Sequence, residues 1–326
     1  MWWTKGRGLP PLVTTDPDAG VLPDATVLFG GEDIGTNIRN GARITISHLL
    51  SDDCTSFDAR FWGIEDGSQG FFAADDDGDP LLAIPFFNAA LDIEDAFPVA
   101  VPGVMTNGSV TILNKNDLIG GDAWLRRTWY EDSCSRVDIL GGYMFSRMDD
   151  LFALSSTSTF DGLDVTQTIQ DLIRTQNEFH GVQVGVMATR RRSNNLSLEG
   201  LAKIAVGNMR QNLLIAGTTT INDAGIVDVT PGGLFAQPSN IGTLERDRFT
   251  FIPELNLNAV YDVNACWKVM LGYSFVYYSD VILASDQIDR RVNLQQANID
   301  PQLPGAFFAE SDFWAQGLSL GAQYQW

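Results

Sequence analysis

The chain has 326 residues, with Asp+Glu 41 against Lys+Arg 21, a formal net charge of -20 and 44% hydrophobic content. That charge excludes a phosphate-tracking surface, because nucleic-acid binding rests on clustered cations that release counterions. No stretch approaches the ~18 apolar residues of a membrane-crossing helix, so a chain of this kind can cross a bilayer only with strands.

Taken in chain order, the opening "MWWTKG" has no basic start, apolar run and small-residue cleavage site. It reads as the end of an aromatic strand, with a targeting signal and the first half of that strand expected upstream of Met1. Stretches of two-residue alternation follow: "ARITISHLL", "SFDARFWGIE", "GGDAWLRRTWY", "SRVDILGGYMF", "FHGVQVGVMATR", "LSLEGLAKIAVG", "FTFIPELNLNAVY", "KVMLGYSFVYY" and "FWAQGLSLGAQYQW". With the Trp-rich opening they predict about ten strands. The connections alternate. Short turns are predicted at 51–55, 131–135, 191–195 and 262–266, and long loops at 6–41, 67–117, 149–176, 217–248 and 281–312, where Gly, Pro, Asp and Asn are frequent. Short turns at one end and long loops at the other are the plan of an outer-membrane β-barrel.

Strand parity sorts the side chains into two faces. Val137, Ile139, Tyr143 and Phe145, then Val182, Val184 and Val186, then Leu255, Leu257 and Tyr261, then Val269, Leu271, Tyr273, Phe275 and Tyr277 fall on apolar faces assigned to lipid. Trp129, Tyr261, Tyr277, Tyr324 and Trp326 suit interfacial girdles. The opposite faces carry Arg43, Asp58, Arg60, Asp122, Arg126, Arg136, Asp138, Glu199, Lys203, Glu254 and Lys268, with Gln183, Asn256 and Asn258. These are predicted to form an ion-pair network that fills a narrow lumen, which leaves most of the net negative charge to the long loops. The last strand, with Leu318, Leu320, Tyr324 and Trp326 on one face, is predicted to close the barrel and to present its aromatic end to the barrel-insertion machinery.

Other candidates weigh less. Asp75, Asp77 and Asp79 in "DDDGD" could ligate Ca²⁺, although the stretch lacks the distal glutamate of a calcium loop. Asp286, Asp289, Arg290 and Arg291 in "SDQIDRRVN" suggest a local ion-pair knot. Cys54, Cys134 and Cys266 sit in or at the end of short turns and form neither a disulfide scaffold nor a zinc site. Both histidines, His48 and His180, fall on apolar faces by parity, which counts against a Ser-His hydrolase.

"LPPLVTT", "VLFGG", "NGARIT", "LLAIPFFN", "GGDAWLRR", "ILGGYMF", "IRTQNEFHGVQVG", "AKIAVGN", "SDQIDRRVN" and "DFWAQGLSLG" occur in an order and spacing that resemble a family of porin-like outer-membrane β-barrel proteins found chiefly in planctomycete bacteria. The resemblance covers almost the whole chain. It implies a barrel and an outer-membrane location, and little about activity.

The reading is therefore an all-β, transmembrane, antiparallel up-and-down barrel of about ten strands. It is one domain over residues 1–326, surrounded by outer-membrane lipid, with no cofactor, no metal, no nucleic-acid partner and no catalysis expected. Either a narrow porin-like channel or a loop-presenting surface protein fits, and the ligand of the loops is left open. The alternatives are a soluble β-sandwich binding module and an outer-membrane hydrolase.

Overall fold

The computed structural model describes residues 1–52, 54–295 and 300–325. Ten strands make the main sheet: β1 (Trp2–Thr4), β2 (Gly41–Leu49), β3 (Thr55–Asp75), β4 (Met105–Glu131), β5 (Ser135–Phe160), β6 (Val165–Arg191), β7 (Leu196–Asp223), β8 (Gly242–Asp262), β9 (Trp267–Val281) and β10 (Ser311–Tyr324). They are hydrogen-bonded in the order β1-β10-β9-β8-β7-β6-β5-β4-β3-β2, with Ile226–Pro231 as an arm on β7. Every pairing along this path is antiparallel. This is one continuous ladder, whereas a sandwich needs two facing sheets of comparable size. At its ends Trp2 and Arg39 exchange backbone hydrogen bonds of 2.8 and 2.9 Å, which brings β1 beside the lead into β2.

Three of the four short turns fold by a shared local device. Asp52, Asp132 and Asn264 each turn a side-chain oxygen back to accept the N–H groups two and three residues on, at Cys54 and Thr55, Cys134 and Ser135, and Cys266 and Trp267. Such Asx turns reverse the chain without a glycine.

Three of the five long loops predicted at the other end, at 67–117, 149–176 and 217–248, are largely strand. β4 and β6 run 27 residues each and β7 runs 28, and β5 reaches Phe160 before β6 starts at Val165. The predicted loop at 149–176 is thus a hairpin with a short connection, its arms in unbroken register from Asp149↔Gln176 to Thr159↔Thr166. Ser and Thr dominate the tip of that hairpin, and their extended preference lets the ladder continue although the apolar alternation fades.

A second, smaller sheet lies inside the top of the main one. Val13–Thr15, Thr26–Phe29, Leu82–Asn88, Ile93–Ala100 and Arg291–Val292 compose it. Leu12, Val13, Ile84, Phe86 and Val99 pack there with Val110, Ile112, Phe152, Leu154, Ile169, Ile173, Leu213 and Ile215 of the surrounding strands, all buried.

Candidate functional site

Along each long strand the polarity of the two faces changes partway up. Near the short turns the outward face is apolar and exposed: Val182 is 62% accessible, Phe249 74% and Leu320 85%. Each apolar file then meets a polar band. On β5 the outward file passes from Tyr143 and Phe145 to Arg147 and Asp149, on β6 from Val182 to His180 and Glu178, on β7 from Val206 to Asn208 and Arg210, and on β8 from Phe249 to Asp247 and Glu245. The band is cross-linked by Arg147–Asp149 at 2.6 Å, Arg210–Glu245 at 2.8 Å, Lys115–Asp66 at 2.6 Å and Asn208–Asp247 at 2.7 Å. Above it the outward residues are mostly small and hydroxylated, such as Ser155, Thr157, Thr168 and Thr218, and the inward residues are the apolar set just described.

Below the band the interior is charged. Arg60 of β3 spans between Asp122 of β4, with Nε donating at 2.9 Å and Nη2 at 2.5 Å, and Glu254 of β8, reached by Nη1 at 2.5 Å and Nη2 at 2.7 Å. Lys203 of β7 donates to Asp122 and, at 2.8 Å, to Oε1 of Gln183, and its ammonium lies 3.0 Å from Glu254. Both cations stand over the Trp124 ring, at 5.5 and 5.4 Å from its centroid. Contacts between β3 and β8, strands far apart along the ladder, require the sheet to curl about this cluster. Beside it, Gly120 makes room for the Trp62 indole of the next layer: a methyl there would lie 2.4 Å from that ring.

A second group sits nearer the turns. Arg126 lies 3.4 Å from Asp58 and 3.8 Å from Asp138, Asp138 accepts from Arg136 at 2.8 Å, and Lys268 faces Asp262 at 3.5 Å. Two residues expected in the network stand apart from these ion pairs. Arg43 donates to Asn256 at 3.1 Å and Ser274 at 2.9 Å and lies over Trp2, while Glu199 has no cation within ion-pair distance among the described residues. Asn258, like Asn256, points to the interior side by parity.

Above the charges Met144, Met148, Phe179, Met209, Ile252 and Tyr278 form an apolar layer across the interior. Over that comes a polar layer absent from the sequence reading: Arg7 bonds Asp150, Arg39 bonds Asn116, and Asn177 holds the Ile282 backbone at both its N–H and its carbonyl. Asp171 accepts three backbone N–H groups, from Leu234, Phe235 and Ala236, at 3.1, 3.2 and 2.8 Å. Burial nevertheless pushes its carboxyl up to about 6. The inward position of Asp150 and Asp171 was readable from parity; their partners, 63 to 143 residues away, were not.

The remaining candidates separate. Asp75 turns inward on its own loop to accept from the Asp77 and Gly78 N–H groups, and Asp77 accepts from the Asp79 N–H, so two of the three carboxylates cap a turn; among the described residues no group of three could hold a metal ion. Arg291 pairs with Asp289 as expected, with two contacts of 3.0 Å, but Arg290 reaches Glu94 at 2.7 Å and Asp286 is in no ion pair among the described residues, so the proposed knot is only half local. Pairing of β10 with β1 falls at Ala315–Gly317 and ends with Met1 and Leu318, above Leu320; Trp326 lies outside the described residues. The three cysteines are free and exposed. His180 bonds the Tyr143 hydroxyl through Nδ1 and Glu178 through Nε2, a linear arrangement on the outward face where the apolar band ends. His48 is exposed on β2.

An all-antiparallel sheet curled about buried ion pairs, with an apolar outward face below the polar band, is consistent with the β-barrel class of protein. The chain belongs to the family described as "Putative beta barrel porin-7 (BBP7)", whose model matches residues 1–326. No curated protein matches the chain significantly. No helix among the described residues is long and apolar enough to cross a membrane.

Proposed function

We propose that the chain is a single-domain, integral barrel of the bacterial outer membrane, closed between β10 and β2 through β1. In this reading the interior is plugged, and the protein works through the folded cap above the membrane instead of through a pore. The observation that carries the reading is the exchange of polarity along the strands. About eleven residues of outward apolar file at roughly 3.3 Å each, tilted by about 40°, make a band close to 25–28 Å tall, the height of an outer-membrane barrel's lipid face. Lipid is the partner such a band calls for, since an exposed apolar surface of this extent in water would aggregate. The strand bearing Leu318, Leu320 and Tyr324 is the part offered to the insertion machinery. No catalytic role is assigned: the Tyr143–His180–Glu178 line faces the bilayer boundary, where the ring and its partners suit an interfacial anchor.

A pore is disfavoured because a barrel of about eight strands is filled by side chains and open channels appear near sixteen. Planar-bilayer recording tests this. Wild type is expected to show no steady conductance, and Arg60→Ala/Arg126→Ala is expected to open small, noisy events by removing two of the cations that bridge the interior. Steady porin-sized conductance of the wild type would overturn the plugged reading.

A further inference from the structure

The polar layer over the apolar one contains a pair of buried arginines whose donors are only partly used. Arg7 and Arg39 are 3% and 5% exposed. Both are held in place by backbone pairing, Arg7 with Ile34 and Arg39 with Trp2. Arg7 spends Nη1 on Asp150, whose other oxygen accepts the Ala284 N–H at 2.8 Å, and Arg39 spends Nη1 on the Asn116 side chain at 3.0 Å and carbonyl at 3.3 Å. The Nη2 group of each arginine has no partner among the described residues.

Those two groups converge. A methyl carbon placed on Gly35 would lie 3.2 Å from Arg7 Nη2, 3.3 Å from Arg7 Nε and 3.5 Å from Arg39 Nη2. Gly35 has φ +77, and its lack of a side chain keeps that point open. The Gly35 carbonyl is taken by the Thr4 hydroxyl at 3.0 Å, and its own N–H is directed to Gln69 at 3.4 Å. The lining therefore offers donors and positive charge. Asp150 is the carboxylate that hydrogen-bonds this pair, through Arg7. Of the other carboxylates acting on the two arginines, Asp66 pairs with Lys115, and Asp286 acts on Arg7 without a hydrogen bond to it among the described residues.

We propose that Arg7 and Arg39 bind one small monovalent anion of the halide class in front of Gly35, clamping the amino-terminal segment and the lead into β2 against the wall strand β5. Buried guanidinium donors left without an acceptor are costly, and one monoanion accepts from both Nη2 groups. A dianion such as sulfate would be repelled more strongly than a monoanion by Asp150 and Asp286.

The direct test is a sodium bromide soak of crystals of the full chain, read by anomalous scattering. A bromide peak touching both Nη2 atoms is expected, and no peak there overturns the proposal. A second test measures the thermal unfolding midpoint of the lipid-reconstituted protein at constant ionic strength, with bromide replacing gluconate. The midpoint should rise with the logarithm of bromide concentration, sulfate should not substitute, and Arg39→Gln should abolish the dependence while the exposed-site control Arg210→Gln keeps it. An equal bromide slope in Arg39→Gln, or equal stabilisation by sulfate, overturns it. The soak requires no variant, so a misfolding Arg39→Gln leaves the proposal testable.

Discussion

Leu271 and Ser274 are three residues apart on β9 and face different surroundings: Leu271 is 60% exposed on the apolar side, and Ser274 is 2% exposed and accepts from Arg43. Leu271→Arg is expected to cost about 2–4 kcal/mol of folded stability in lipid vesicles, the price of a cation at mid-bilayer. Ser274→Asp is expected to stay within about 1 kcal/mol of wild type, because it hands Arg43 the carboxylate it lacks. Urea titration followed by heat-modifiable gel mobility reads both, and equal losses would mean that the two faces are misassigned. Asp171 makes a pH prediction. Burial, working against three N–H donors, raises its folded value to about 6, above the ordinary carboxyl value of 3.8. The folded state then holds the proton more tightly than the unfolded one, so this group's contribution to stability falls as pH rises from about 4 to about 6, by up to about 3 kcal/mol. The difference in unfolding free energy between wild type and Asp171→Asn should follow that slope between pH 4 and 7. A difference that does not vary with pH would count against the assignment.

At the scale of the element, β6 carries its own depth gauge. Arginine at Val184 is expected to cost about 2–4 kcal/mol, and arginine at His180, beside Glu178 at the edge of the polar band, about 0–1 kcal/mol. A series of arginine variants at positions 186, 184, 182 and 180, unfolded in the same vesicles, should place the membrane boundary, and a flat series would contradict a bilayer edge at that height. The lower half of such a strand was legible in the sequence because alternation is a local signal: Val182, Val184 and Val186 against Gln183 announce two faces without reference to any other strand. The upper half was not. From Thr175 to Val165 the outward positions become Arg, Leu, Gln and Thr while the inward ones become Ile173, Asp171 and Ile169, so the pattern that marks the part below the polar band reverses and reads as loop. The interior cluster was legible as a set of residue types on one face, and its partition into pairs was not. Whether Arg60 meets Glu254 or Arg43 does depends on how the sheet curls, over 194 residues of chain.

For the whole molecule, the polar band separates two ways of filling an interior. Below it, charges are buried and apolar surface is shown; above it, an apolar core is covered by hydroxyls, as in a protein folded in water. This makes a domain boundary that runs across the chain instead of along it. β4, β5, β6 and β7 each belong to both halves, so no single cut in the polypeptide can part them, and a truncation at either end takes material from both. The halves can be uncoupled only by changing facing arms together, as at Leu151↔Arg174. Because side chains alternate with a period of two, adding or removing residues in pairs from both arms of a hairpin preserves every inward and outward assignment below the change. In the proposed outer-membrane setting the lower half is fixed in height by the thickness of a bilayer. The upper half is free to grow or shrink, and length variation among relatives of this chain should accumulate at the hairpin tips in matched, even steps.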